Sequence, residues 1–168
     1  SIDGIEKIIK KVQPETIINC IGLINKYAES KNPLDIIPIN ALFPHQLADL
    51  CKKYNAKLIQ PSTDCIFSGK KGQYTEKDPS DAKDLYGKTK YLGEIHDMEH
   101  VITLRTSLIG HEIHTKNELL EWFLSQEGEI EGYTSAIFSG LTTLQFSRVI
   151  MDYVFQQNKL YGLYHVAS

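Results

Sequence analysis

No stretch of this 168-residue chain is apolar for long enough to cross a bilayer as a helix, so a helical membrane span is excluded from it. Positive charge is scarce too. The 18 Lys and Arg face 21 Asp and Glu for a net charge of -3, and the pairs Lys10-Lys11, Lys52-Lys53 and Lys70-Lys71 are scattered. A surface for a phosphate backbone needs basic residues gathered on one face, so no nucleic-acid partner is expected. Only three cysteines occur, Cys20, Cys51 and Cys65, with no C-x-x-C among them. That leaves neither a disulfide framework nor a thiolate zinc site, and reduced thiols of a cytoplasmic protein are the simple reading. Cys20 in an apolar run and Cys51 on a helical apolar stripe are both expected in the core. The single tryptophan, Trp122, lies in Leu119-Leu-Glu-Trp-Phe-Leu124 and is also assigned to the core, with stacking on a nucleotide base as the alternative. Repeats and low-complexity segments are missing. The 11 glycines form neither G-x-G-x-x-G nor G-x-x-G-x-x-G. The turn that lets backbone amides cradle a dinucleotide pyrophosphate is therefore not among these residues.

What is present is an ordinary globular composition, 42% apolar and 23% charged, at a length suited to one domain. Asp3 and Glu6 form a plausible capping pair for an opening helix whose Ile5, Ile8, Ile9 and Val12 share a face. Thr16 to Ile21 reads as a strand, followed by a polar, Pro-containing stretch to Pro38. Asn40 to Tyr54 reads as a helix with Phe43, Leu47, Leu50, Cys51 and Tyr54 on one stripe. Lys57 to Ser62 and Val101 to Thr106 read as strands, and residues 68–84 as a loop leading into a helix that carries Tyr86. Further helices are placed around Leu119, Leu120, Phe123 and Leu124, and around Phe146, Val149, Ile150 and Tyr153 with Thr142 or Thr143 as cap. Leu163 to Val166 closes as a short strand. Helix alternating with strand implies an α/β fold, a parallel sheet with flanking crossover helices.

The chemistry centres on Tyr86-Gly-Lys-Thr-Lys90, which lies 23 residues after Thr63 at the end of the apolar run Leu58-Ile-Gln-Pro-Ser-Thr63. A phenol and an ammonium four apart on a helix share one face. A phenol with pKa about 10 needs a nearby cation to serve as an acid at neutral pH. Tyr86 would then protonate a carbonyl oxygen while a hydride reaches its carbon, with Lys90 as the cation and Thr63 orienting the substrate oxygen. A second Tyr-x-x-x-Lys, Tyr27 to Lys31, has no strand-end hydroxyl upstream and is read as chance. Gly87-Lys88-Thr89 mimics the end of a phosphate-binding loop, but Ala82 stands where that loop needs glycine, and the motif is rejected. His111 and His114 have no third metal ligand at sensible spacing, so no metal is assigned. Arg105 at a strand end reads equally as a diphosphate ligand or as an ion pair holding a loop, and His165 as a satisfied strand histidine. The segment Gly132–Gly140 is either a sugar-binding loop or a plain connection.

These segments resemble a known family. Ser62-Thr-Asp-Cys-Ile-Phe-Ser-Gly69, Gly72-Gln-Tyr-Thr-Glu76 and Asp84-Leu-Tyr-Gly-Lys-Thr-Lys-Tyr-Leu-Gly-Glu94 are similar to the extended short-chain dehydrogenase/reductases, within them to the dTDP-4-dehydrorhamnose reductase group. Ile17-Ile-Asn-Cys-Ile-Gly22, Asn40, Leu104-Arg-Thr-Ser-Leu-Ile-Gly110, Ser139-Gly-Leu-Thr-Thr143 and Gly162-Leu-Tyr-His-Val166 continue the likeness. The resemblance implies a Rossmann-like fold, here its later part in one partial domain over 1–168, with substrate-side segments around 107–145. It implies NADPH or NADH as cofactor, held by Asn19, Cys20, Ile21, Gly22, Asn40, Ser62, Tyr86 and Lys90. It implies a nucleotide-sugar substrate, met by Asp64, Cys65, Arg105, Ser139 and His165, in polysaccharide sugar biosynthesis. Related segments often carry Tyr where Cys65 stands, which leaves the particular sugar open. An epimerase, a dehydratase or a non-catalytic regulatory subunit are the alternatives. With the opening strands and Gly-rich turn of that family missing, the chain is expected to be a piece of a longer protein and inactive alone. Thr16 to Ile21 would then be an edge strand, and either self-association through it or cover by the opening helix is expected.

Overall fold

The computed structural model describes residues 1–24, 32–114, 116, 118–157 and 159–168. The chain forms two compact units, Ser1–Arg105 with Lys159–His165, and Thr106–Asn158 with Val166–Ser168. The first is built on a four-stranded parallel sheet in the order β1 (Thr16–Ile18), β2 (Lys57–Ser62), β3 (Val101–Arg105), β6 (Gly162–His165). The α/β parallel architecture expected from the alternating pattern is the one observed. Leu58, Ile59, Val101, Ile102 and Leu104 are buried, as a sheet covered on both faces requires.

One face is covered by α1 (Ile2–Val12) and α3 (Phe43–Lys53). Ile9 of α1 and Leu47, Ala48 and Cys51 of α3 share one core cluster with Leu58 and Val101. Burial pushes the Cys51 thiol up to about 11, so it packs as a small apolar group. The Asp3/Glu6 cap does not form. Ser1 is the N-cap and makes no side-chain cap bond, while Glu6 accepts from Lys53 Nζ at 2.8 Å and from the Tyr54 hydroxyl at 2.7 Å. The carboxylate is drawn from the helix end to the α3 cation, which is the stronger partner.

Strand β1 stops at Ile18, short of Ile21, because Asn19 turns the chain. Its backbone N–H still reaches Ile59 O at 2.9 Å, but its side-chain oxygen accepts from Ile21 N at 3.1 Å, closing an Asx turn. Cys20 consequently leaves the strand and is exposed, which corrects its assignment to the core. Tyr27 to Lys31 lies outside the described residues. The next helix begins earlier than Asn40. Asn32 accepts from Leu34 N at 3.1 Å and Pro33 occupies the first turn of α2 (Pro33–Ile36), a cap the proline-rich composition had disguised as loop. A π-helical stretch, Ile37–Leu42, then joins α2 to α3, with Pro38 and Pro44 at its borders, where an α-ladder donor is missing.

Asn40, buried in that π-helical stretch, accepts from Leu23 N at 2.8 Å and donates to Leu23 O at 2.9 Å. This two-bond bridge holds the segment after β1 as a paired strand would. Its own backbone is met by Gly93 at the end of α4 (Leu85–Leu92): a β-carbon there would stand 2.0 Å from the Asn40 carbonyl oxygen. Gly93→Ala is therefore expected to destabilise the protein by about 1–3 kcal/mol or more, read as a lowered denaturant midpoint.

In the second unit, β4 (Leu108–Ile109) pairs in parallel with β5 (Leu141–Thr142). Thr142, one of the two expected caps, accepts from Gln145 N at 3.0 Å to start α6 (Thr143–Val149), which runs on as π-helix over Ile150–Val154. Helix α5 (Leu119–Leu124) buries none of its residues. Trp122 and Phe123 are 43% and 54% exposed, so their assignment to the core does not hold. Six residues cannot form an apolar stripe wide enough to be covered by so small a unit.

Candidate active site

The site is built where β2 ends and α4 begins. Asp84 caps α4 by accepting from Gly87 N at 2.8 Å, and Tyr86 and Lys90 then project from one face of the helix, both half-buried. The first turn presses on the chain after β2, since a β-carbon on Gly87 would lie 2.5 Å from the Cys65 carbonyl oxygen. One helical turn on, Lys90 Nζ donates to Pro61 O at 3.1 Å. Thr63 stands between these two contacts in sequence and is buried. Its hydroxyl accepts from Cys65 N at 3.1 Å, capping a short 3-10 turn (Asp64–Ile66). Thr63, Tyr86 and Lys90, twenty-seven residues apart at most, are thus brought together in one unit.

Desolvation pulls the Lys90 ammonium below the ordinary lysine value, and the nearby Glu94 carboxylate opposes that shift. Glu94 follows the end of α4 and was not singled out by sequence reasoning. Its spacing of four after Lys90 was the available signal. Its side chain is fully buried and accepts from Arg105 Nε at 2.8 Å, Arg105 Nη2 at 2.7 Å and the Ser62 hydroxyl at 2.7 Å. His96 Nε2 lies 3.4 Å away on the exposed side. Arg105 also approaches His165 Nε2 at 3.2 Å and lies over the Phe67 ring at 5.3 Å. Of its two readings, the ion pair is the one the geometry displays. His165 packs edge-on against Phe67, and its backbone N–H donates to Glu76 at 2.8 Å, the arrangement of a satisfied strand histidine.

The other residues of the expected cofactor and substrate sets are distributed as follows. Asn19 is buried with its side-chain amide donating to Gln60 at 2.8 Å, Ser62 is directed to Glu94, and Asn40 is bound to Leu23. Cys20, Ile21 and Gly22 are exposed past the end of β1. Asp64 lies 3.4 Å from the Thr63 hydroxyl. Cys65 is exposed as a residue, yet desolvation of its sulfur raises the thiol above the ordinary value, the reverse of what a nucleophile needs. Ser139 belongs to the other unit, where it is exposed and its carbonyl accepts from Ser168 N at 3.0 Å. His111 lies 2.6 Å from Glu121, and no cluster of three or more metal-ligating side chains occurs among the described residues.

Residues 68–84, read from sequence as loop, are tightly held over most of their length, together with Phe67 before them. Phe67 and Tyr74 stack at 4.2 Å, Asp81 accepts from Ser68 N at 2.6 Å and from its hydroxyl, and Asp78 joins Lys71 to Thr75 N at 2.7 Å. The Lys71 bond, ahead of the Thr75 bonds, holds the Asp78 carboxyl at about 2, and the Ser68 bonds lower Asp81. Both carboxyls titrate below the unfolded 3.8, so their stabilisation is fully present above that pH and is lost as pH falls below it, for Asp78 toward about 2. Protection factors across 67–82, exchange rates divided into the intrinsic rate at each pH, are expected to fall as pH drops below that value and to hold steady above it.

A parallel sheet flanked by helices, with the candidate side chains at the strand's C-terminal end and on the following helix, defines a Rossmann-like α/β module. The chain belongs to the family described as the RmlD substrate binding domain, which matches residues 1–168. It is similar to a dTDP-4-dehydrorhamnose reductase of Streptomyces griseus, 30% identical over 92 residues, covering 54% of this chain and 30% of that protein. It is similar to methionine adenosyltransferase 2 subunit beta of Danio rerio, 27% identical over 125 residues, covering 69% of this chain and 36% of that protein. Among solved structures, dTDP-4-dehydrorhamnose reductase from Bacillus anthracis in complex with NADP matches with a TM-score of 0.83 at 24% identity, over 100% of this chain and 61% of that one. The chain therefore spans about a third of the curated relatives it matches.

Proposed function

We propose that the protein carrying this chain reduces a keto-sugar nucleotide with NADPH or NADH. The observation that carries the reading is Lys90, a half-buried ammonium on the same helix face as Tyr86, anchored two residues before Thr63. When bound, the nicotinamide supplies the hydride. Tyr86 delivers the proton to the carbonyl oxygen, Thr63 donates a hydrogen bond to that oxygen, and Lys90 favours the phenolate that remains. The donor set fits the ribose end of such a cofactor. An ammonium has three donors, and among the described residues Lys90 directs one, to Pro61, leaving two for vicinal hydroxyls. The names of the Streptomyces and Bacillus relatives support the sugar-nucleotide substrate.

A second reading is a regulatory subunit without turnover, favoured by the longer match to methionine adenosyltransferase 2 subunit beta. A partner-binding role needs no phenol, ammonium and hydroxyl grouped together, and that grouping favours the reductase. The deciding experiment is oxidation of NADPH and of NADH by the complete protein with a 4-keto-sugar nucleotide, followed at the nicotinamide absorbance. Substrate-dependent oxidation supports the reductase; its absence with intact cofactor binding supports the regulatory subunit.

A further inference from the structure

The segment Tyr86–Glu94 grips the end of β2 at successive points. Gly87 lies against the Cys65 carbonyl, Lys90 holds the Pro61 carbonyl, and Glu94 holds the Ser62 hydroxyl at 2.7 Å. Thr63 sits within that span, its hydroxyl accepting from Cys65 N at 3.1 Å and lying 3.4 Å from Asp64. Ser62 and Arg105 are register partners across β2 and β3, and both converge on the Glu94 carboxylate. Arg105 holds both carboxylate oxygens, which prevents the group from rotating away from Ser62.

We propose that Glu94 is a positioning residue for the reduction, acting through Ser62 to set where the Thr63 hydroxyl stands relative to Tyr86 and Lys90. The inference rests on the reductase reading above. A purely structural pair would require only Glu94 and Arg105. The Ser62 hydroxyl adds a tether to the residue next to Thr63, and the Lys90 tether on the preceding residue fixes the peptide from its other side. Together they leave the Thr63 backbone little freedom to drift. A displacement near 1 Å at a reacting group can cost about a hundredfold in rate, so loss of one of two tethers is expected to cost about tenfold.

The test is Ser62→Ala in the complete protein, assayed with NADPH and a 4-keto-sugar nucleotide. This variant spares the buried ion pair, and a melting curve confirms that it is folded at the assay temperature. The expected result is a kcat lowered about tenfold with KM within about twofold of the parent. In a Thr63→Ala background the same change should cost less than about twofold, because the group being positioned is gone. An unchanged kcat in Ser62→Ala overturns the proposal. So does an equal tenfold loss with and without Thr63, which would mark a general loosening. A parent protein that turns over no substrate overturns the reductase reading itself, and this inference with it.

Discussion

Tyr86→Phe in the complete protein is expected to lower kcat for the keto-sugar nucleotide by about 10²–10⁴-fold, the span associated with a positioned general acid. The substitution keeps the ring and removes only the proton donor, so α4, its Asp84 cap and the Lys90 anchor should persist. KM should move little, because the phenol acts on charge that develops in the transition state. Steady-state kinetics with a melting curve as control decides the matter. Turnover equal to that of the parent would remove Tyr86 from the chemistry. If the protein instead works as a regulatory subunit, partner affinity should be the same in both forms.

Arg105→Leu is expected to destabilise the protein by about 3–5 kcal/mol, because it leaves a carboxylate buried without its cation. The Glu94 side chain is 0% exposed and that of Arg105 2%, so water cannot take over the lost partner. His96, 3.4 Å from Glu94 and 45% exposed, is an imidazole that is charged only when protonated and cannot replace a guanidinium. Replacing both partners, Glu94→Leu with Arg105→Leu, should recover most of the loss, since the charge that needed a partner is gone. Equilibrium denaturation of the three forms checks both statements. A cost below about 1 kcal/mol for Arg105→Leu would mean the pair behaves as a solvated surface bridge.

How legible this protein was depended on the kind of force at work. The buried strands β2 and β3 and the stripe of α3 followed from apolar periodicity, because burial acts on every residue of those runs. That the helix of Tyr86 and Lys90 packs against the end of β2 followed from strand-to-helix order together with family likeness. What escaped was local polar chemistry. The turn at Asn19 ended β1 early, and the Asn32-Pro33 cap began a helix inside what read as loop. Each depends on one side chain bonding one backbone group, and hydropathy carries no trace of it. Glu94 escaped for a related reason: a glutamate past the end of a helix reads as solvated until the arginine that buries it, on another strand, is seen. Trp122 and Phe123 misled in the opposite sense, since an apolar run reveals nothing about whether enough neighbours exist to cover it.

The placement of β6 has a consequence for how the molecule is made. Its residues pair with β3, yet they are separated from it in sequence by residues 106–158, the main body of the second unit. β1, β2 and β3 leave the ribosome before residues 106–158, and β3 then waits for β6 with one side unpaired while those residues emerge. During that interval Arg105 already has Glu94, but lacks His165. Of these four strands β6 is the last to be translated, and its arrival joins contacts of large sequence separation that close slowly. A ribosome stalled, or a chain clipped, a few residues short of Gly162 would release a sheet whose most buried strand is open along its length, a form that quality-control chaperones are built to recognise.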